Sequence, residues 1–407
     1  FLCAASLIIS FAVLVLFKYF DFFSRSAAAV AGLLGVSYSP LILNLTLPMG
    51  ISFYTFQTLS YTIDVYRGDV PAERNYGYFA LFVSYFPQLV AGPIERIDRL
   101  LPQLKEEHAF SYDNFAQGLV YIAVGLFKKI VVADTFAKGV DLVYNNVSNY
   151  TGLPLILATV LFAFQIYCDF SGYSDIAIGS ARMMGIGLMD NFRAPYLSQS
   201  IREFWSRWHI SLSTWFRDYL YIPLGGNRCS KARNAFNVLL TFVLSGLWHG
   251  ANWTFVIWGF IHGACQVLEK AIFGDKRKKS PGLSLRALPR IAVTFLIVCA
   301  AWVFFRANSL PDALYVFSHM FDGVLQPMRY LKDAYAAMQI SKIGVGILLF
   351  EIAGIVAIDL LAYRKDPVQT LRAKPAYVRW PAYVLLAFAV ALLSTKGTVS
   401  AFIYFQF

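Results

Sequence analysis

Charge is what this sequence has least of. Only 14% of its 407 residues are Asp, Glu, Lys or Arg, whereas 58% are hydrophobic and 17% aromatic. Mean hydropathy is +0.55. Soluble domains carry about 25% charged residues, so a single soluble globule is excluded. The five cysteines (Cys3, Cys168, Cys229, Cys265, Cys299) are scattered and form no CxxC pair. That argues against a disulfide framework or a zinc site and for small core residues. No HExxH spacing and no GxSxG elbow occurs, so neither a zincin helix nor a nucleophile elbow is indicated. Internal repeats are also lacking, which weakens a reading as an inverted-repeat transporter. The chain opens on Phe1 rather than Met, with no charged region and cleavage site. This reads as a membrane span behind a truncated N-terminus rather than a signal peptide.

What is present is apolar length. Runs able to enter a bilayer fall at about 1–17, 28–43, 47–63, 77–91, 115–133, 153–168, 236–258, 287–305, 343–362 and 380–394. Several are shorter than the roughly 20 residues of a straight span, and so are expected to be tilted or re-entrant. The expected architecture is all-α and polytopic, with about ten to twelve membrane elements in one domain over 1–407.

The formal net charge of +11 does not point to nucleic acid, because no stacking groove pattern accompanies it. Basic loops between apolar spans are what the positive-inside rule produces. The connector 274–290, GDKRKKSPGLSLRALPR, has six Lys/Arg against one Asp and is placed in the cytoplasm. FKK (127–129) and YRKD (363–366) are candidate cytoplasmic ends. In 85–104, Pro87 and Gly92-Pro93 stand just before Glu95, Arg96, Asp98 and Arg99. A helix does not pass Gly-Pro unperturbed, and freed backbone at membrane depth must line a protein-walled or wet space. An entrance is expected here.

The segment 202–228 reads REFWSRWHISLSTWFRDYLYIPLGGNR. At helical spacing Trp205, Trp208, Leu212, Trp215 and Tyr219 share an arc of about 80°. An amphipathic, re-entrant cytoplasmic-side element over 198–235 is expected, with tryptophans at headgroup depth, His209 at the stripe's edge and arginines touching anionic lipid.

In LSGLWHGANW (244–253) an ionisable imidazole sits inside an apolar run. Such a residue is a functional hypothesis by default. A neutral His249 can take a proton from a hydroxyl. Helical geometry puts Asn252 and Trp253 one turn on, on the same side as His249. Gly246 and Gly250 form a GxxxG, which admits another backbone. His262 reads as a helix-end polar group, and His108 and His319 as loop or interfacial residues. No metal site is expected. Asp169 and Asp175 in YCDFSGYSDIAIGSARMMG (167–185) read as cap or packing groups. Ser171 and Cys168 are weak candidates for an acyl-enzyme.

Four segments taken together resemble a known family: 202–228, LSGLWHGANWTFVIWGFIHG (244–263), CDFSGYSDIAIG (168–179) and FPQLVAGPIERIDRLLPQL (86–104). They are similar to the membrane-bound O-acyltransferases, and most to the bacterial branch that acetylates alginate, peptidoglycan and cellulose. The closing FIYFQF (402–407) fits that branch, and the resemblance runs from about residue 47 to the end. It implies tilted helices around a central tunnel. It also implies a cytoplasmic thioester donor (acetyl-CoA or an acyl carrier protein), no bound cofactor, and an extracytoplasmic glycan acceptor. A secreted-side SGNH-type acetyltransferase partner is a further implication, as is residence in the bacterial cytoplasmic membrane.

His249 matches the family's near-invariant histidine and His209 the second histidine of this branch; both are expected to be catalytic. The expected substrate-binding set is Asn252, Trp248, Trp253, Trp205, Trp208, Arg207 and Asp169. D-alanyl transfer to teichoic acid, a transporter with a midplane histidine and a non-catalytic scaffold for glycan export remain alternatives.

Overall fold

Long apolar runs become long helices. The computed structural model describes residues 2–48, 50–274, 282–339, 341–363, 365–394 and 402. Much of the connector 274–290 and of the closing 402–407 therefore lies outside the described residues. Among those described there is no strand.

Helices α1 (Leu2–Leu14) and α2 (Phe20–Leu33) join through a π turn, Val15–Tyr19. Then come α3 (Ile51–Arg67), α4 (Tyr76–Ser84) and α5 (Ile97–Lys105). Next, α6 (Tyr112–Leu126) passes through a second π turn, Phe127–Ala133, into α7 (Asp134–Tyr144), and α8 spans Leu153–Met183. Short helices α9 (Ile201–Trp205) and α10 (Ile210–Phe216) precede the hairpin of α11 (Lys231–His249) and α12 (Trp253–Phe273). The chain closes with α13 (Leu288–Arg306), α14 (Leu310–His319), α15 (Pro327–Ala337), α16 (Lys342–Ala362), α17 (Pro367–Arg372) and α18 (Ala376–Leu393).

Seven helical stretches are long and apolar enough to cross a membrane: Cys3–Leu33, Tyr112–Tyr144, Leu153–Met183, Trp253–Phe273, Leu285–Arg306, Lys342–Ala362 and Ala376–Leu393. The protein is an all-α polytopic membrane protein. Three expected spans change. The first run continues to Leu33, and 37–48 is irregular, so 28–43 is not a span. The run 77–91 stops being helical after Ser84. The run 236–258 breaks at Gly250, which is extended with φ −159°.

Two close crossings organise the bundle. Gly118 and Gly125 of α6 face Gly179 and Gly172 of α8, and a Cβ at any of them would press on the partner's carbonyl. Gly246 and Gly259 play the same part between α11 and α12, where Cβ atoms would run into the carbonyls of Phe255 and Phe242. Small residues let membrane helices approach to backbone contact.

The buried α8 carries charge into this packing. Lys128 pairs with Asp175 at 2.7 Å, and Lys129 with Asp134 at 2.9 Å and Asp169 at 2.8 Å. This corrects FKK as a cytoplasmic end: both lysines lie mid-way along Tyr112–Tyr144. It also corrects Asp169 and Asp175 as caps, since both lie inside α8. Charges at such depth are expected to pair, as these do.

Candidate active site

His249 is the last residue of α11. Gly250 carries the chain out of the helix, and Asn252 starts α12 by accepting from the Thr254 N–H at 3.1 Å. The imidazole is 4% exposed. It stands perpendicular to Trp258 (centroids 5.1 Å) and against Trp248 (4.9 Å) and Phe305 (5.4 Å). The expected alignment of Asn252 and Trp253 with His249 fails, because the helix ends between them. Asn252 is a helix cap. Trp253 is 54% exposed, donates to Ser26 Oγ at 3.2 Å and rests on Phe22.

His209 comes to the same place from another element. It lies between α9 and α10 with φ 43° and ψ 56°. The bend is pinned by Ile210 N–H donating to the Asn191 carbonyl (2.9 Å) and Arg193 N–H to the Arg207 carbonyl (2.9 Å). Asn191 Oδ1 accepts from Ser211 Oγ at 2.8 Å and stands 3.2 Å from His209 Nδ1. With Oδ1 assigned as the acceptor, Nδ1 carries the proton and Nε2 the lone pair. Phe170 packs edge-on at 4.6 Å. The two imidazole centroids are 6.4 Å apart.

The other expected residues divide. Trp205, Trp208 and Trp215 are buried in protein, so the reading of 202–228 as an interfacial helix with its tryptophans at headgroup depth is corrected: this stretch is two short helices, a π turn and turns. Trp208 packs between Phe204 and Trp302. Arg207 pairs with Glu203 at 2.9 Å, donates to the Tyr363 carbonyl at 3.3 Å and lies over the Tyr363 ring, a clamp and not a lipid contact. Asp169 is held by Lys129. His262 is buried inside α12, stacked on Phe204, which corrects its reading as a helix-end group. Cys168 and Ser171 are buried within α8.

Sequence reasoning missed Asn191, Ser211, Trp258 and Phe305. None lies in a pattern of its own; only the fold brings them to the histidines. The buried indole N–H groups of Trp205, Trp248 and Trp258 have no hydrogen-bond acceptor among the described residues, so they are donors available to a bound carbonyl.

A cavity of about 1130 Å³ opens between α9–α10 and α11–α12. Its wall includes Trp205, Ile210 and Ser245, the last two being one residue from His209 and one turn from His249. Arg202, Arg217, Lys231 and Lys270 line it as well. The entrance expected at 85–104 is corrected. The backbone is irregular from 85 to 96 before α5 begins, but Tyr85, Gln88, Ala91, Ile94 and Glu95 are buried, and the segment takes no part in this cavity's wall.

Residues 73–306, which hold both histidines and the cavity wall, match the model of the membrane-bound O-acyltransferase family. The chain belongs to this family. It is a multi-pass membrane O-acyltransferase. A probable alginate O-acetylase of Pseudomonas putida is 40% identical across 98% of the chain and 83% of that protein. The peptidoglycan O-acetyltransferase of Helicobacter pylori is 37% identical over 77% of the chain and 63% of its own length. The teichoic acid D-alanyltransferase of Streptococcus thermophilus is 30% identical over 63% of the chain and 68% of its own length. Like its relatives, this O-acyltransferase requires an acyl donor and an acceptor.

Proposed function

We propose that the enzyme moves an acetyl group from a pantetheine thioester, acetyl-CoA or a charged carrier protein, to a hydroxyl of an extracytoplasmic glycan. His249 is the general base. The observation that carries this reading is the convergence of two buried imidazoles, from unconnected elements, behind a cavity with a cationic lining whose wall includes their neighbours Ile210 and Ser245. The four cations suit the phosphates of CoA or of a carrier's prosthetic arm, and the apolar Trp205 and Phe242 suit the arm itself. With the positive-inside rule placing the 274–290 connector in the cytoplasm, the donor enters from that side, across the bacterial cytoplasmic membrane.

The chemistry balances without a covalent enzyme intermediate. His249 removes the acceptor's hydroxyl proton as its oxygen attacks the thioester carbonyl. The indole N–H of Trp248 or Trp258 stabilises the oxyanion. The C–S bond then breaks, and the thiolate leaves with the proton His249 held. His209, with Nδ1 turned to Asn191, offers Nε2 to the thiol side. Oxyanion donors and a positioned base are each worth about a hundredfold or more. Acetyl rather than D-alanyl transfer is supported by the greater identity and coverage of the alginate relatives. The acceptor receives acetyl directly or through an SGNH-type partner outside the membrane.

Thiol release from acetyl-CoA by purified enzyme in nanodiscs tests this. His249→Ala should lose about 10²- to 10⁴-fold in rate while keeping its elution profile and melting temperature. Equal rates in variant and wild type would leave His249 structural.

A further inference from the structure

The one cationic side chain of the first span that reaches the site is Lys18. It sits in the π turn Val15–Tyr19, within a 31-residue apolar helix of which 11% is buried in its best membrane window. A lysine at that depth is costly unless it has partners. Its Nζ donates to the Trp248 carbonyl at 2.6 Å, the His249 carbonyl at 3.2 Å and Ser52 Oγ at 3.3 Å, and lies 5.7 Å from the Trp248 ring.

Both carbonyls belong to the last turn of α11, where a helix runs out of its own N–H donors. An ammonium there also meets the negative end of the helix dipole. The π turn gives the reason for the geometry. One extra residue per turn rotates Lys18 out of the lipid-facing register, and such bulges cluster at functional sites.

We infer that Lys18 is a positioning residue for the acyl transfer: it clamps the α11 terminus and thereby fixes where the His249 imidazole stands between Trp258 and His209. The inference rests on His249 being the base. It adds that the first span, which the family match at 73–306 leaves out, is part of the catalytic apparatus. Lys18 touches no reacting atom, so its loss acts on the chemical step and not on donor binding.

The test is thiol release from acetyl-CoA and from acetyl-pantetheine, with His249→Ala, Lys18→Met, Lys18→Gln and Lys18→Arg in nanodiscs. Lys18→Met should lower kcat about ten- to a hundredfold, the scale of a misplaced catalytic group, with KM for the thioester within about twofold. Lys18→Arg should restore most of kcat, because it keeps the charge and the donors. If Lys18→Met does not fold, the Gln and Arg pair decides: Gln must fall below Arg in kcat at equal KM. Wild-type kcat in Lys18→Met, or equal kcat in Gln and Arg, overturns the inference while leaving the base intact. Activity retained in His249→Ala overturns the base instead.

Discussion

His209 holds a backbone conformation, φ 43°, that bulky residues rarely adopt and asparagine tolerates better. The conformation survives because Asn191 and its neighbours clasp both sides of the bend. His209→Asn should therefore fold, since asparagine accepts the left-handed region, yet lose transfer activity; thermal melting and thiol release on one preparation separate the two. Asn191→Leu acts on both fold and activity. It strips the acceptor from His209 Nδ1 and Ser211 Oγ in a buried place, a loss of about 1–3 kcal/mol. The expected result is a lower melting temperature together with reduced kcat.

At the scale of elements, the close approach of α11 and α12 holds the histidine hairpin together. Gly259→Val should abolish folded yield, because its side chain has nowhere to go but into the Phe242 carbonyl. Gly32→Ala meets nothing within 4 Å and should be neutral. Fluorescence-detected size-exclusion chromatography of the two variants in detergent shows the difference. The elements themselves were legible from run length: α6, α8, α13, α16 and α18 all lie where apolar stretches predict helix. The break after His249 was not, because Gly250, Ala251 and Asn252 keep the helical pattern of polar and apolar positions. A side chain at Gly250 would strike the Phe255 ring, a contact that only the fold reveals. The buried histidines could be picked out in the sequence, but their partners could not, since Asn191 and Phe305 reach them only through the tertiary fold. The Trp stripe of 202–228 was real as a spacing. Its burial in protein instead of lipid depends on α3, α8, α12 and α13 covering it.

Across the whole molecule, buried charges are the features whose meaning depends most on distant sequence. A Lys-Lys pair reads as a span end until Asp169 and Asp175, some forty residues on, come beside it. Lys129→Met leaves Asp134 and Asp169 facing each other without their shared cation, a cost of about 3–5 kcal/mol. Adding Asp169→Asn should recover part of it, as a double-mutant cycle on melting temperature would show.

The split of α9 and α10 at His209 also bears on synthesis. These two helices have five and seven residues, too few to insert into a bilayer as independent units. The rings of 204–216 have partners on both sides in sequence: Phe56 and Tyr167 precede them, whereas Trp258 and Trp302 follow. A nascent chain halted before residue 258 therefore has its first spans in the membrane and its tryptophan segment only half seated, on Phe56 and Tyr167. The two histidines can meet only once the α11–α12 hairpin has been made and seated on this segment, so the enzyme is inert until then.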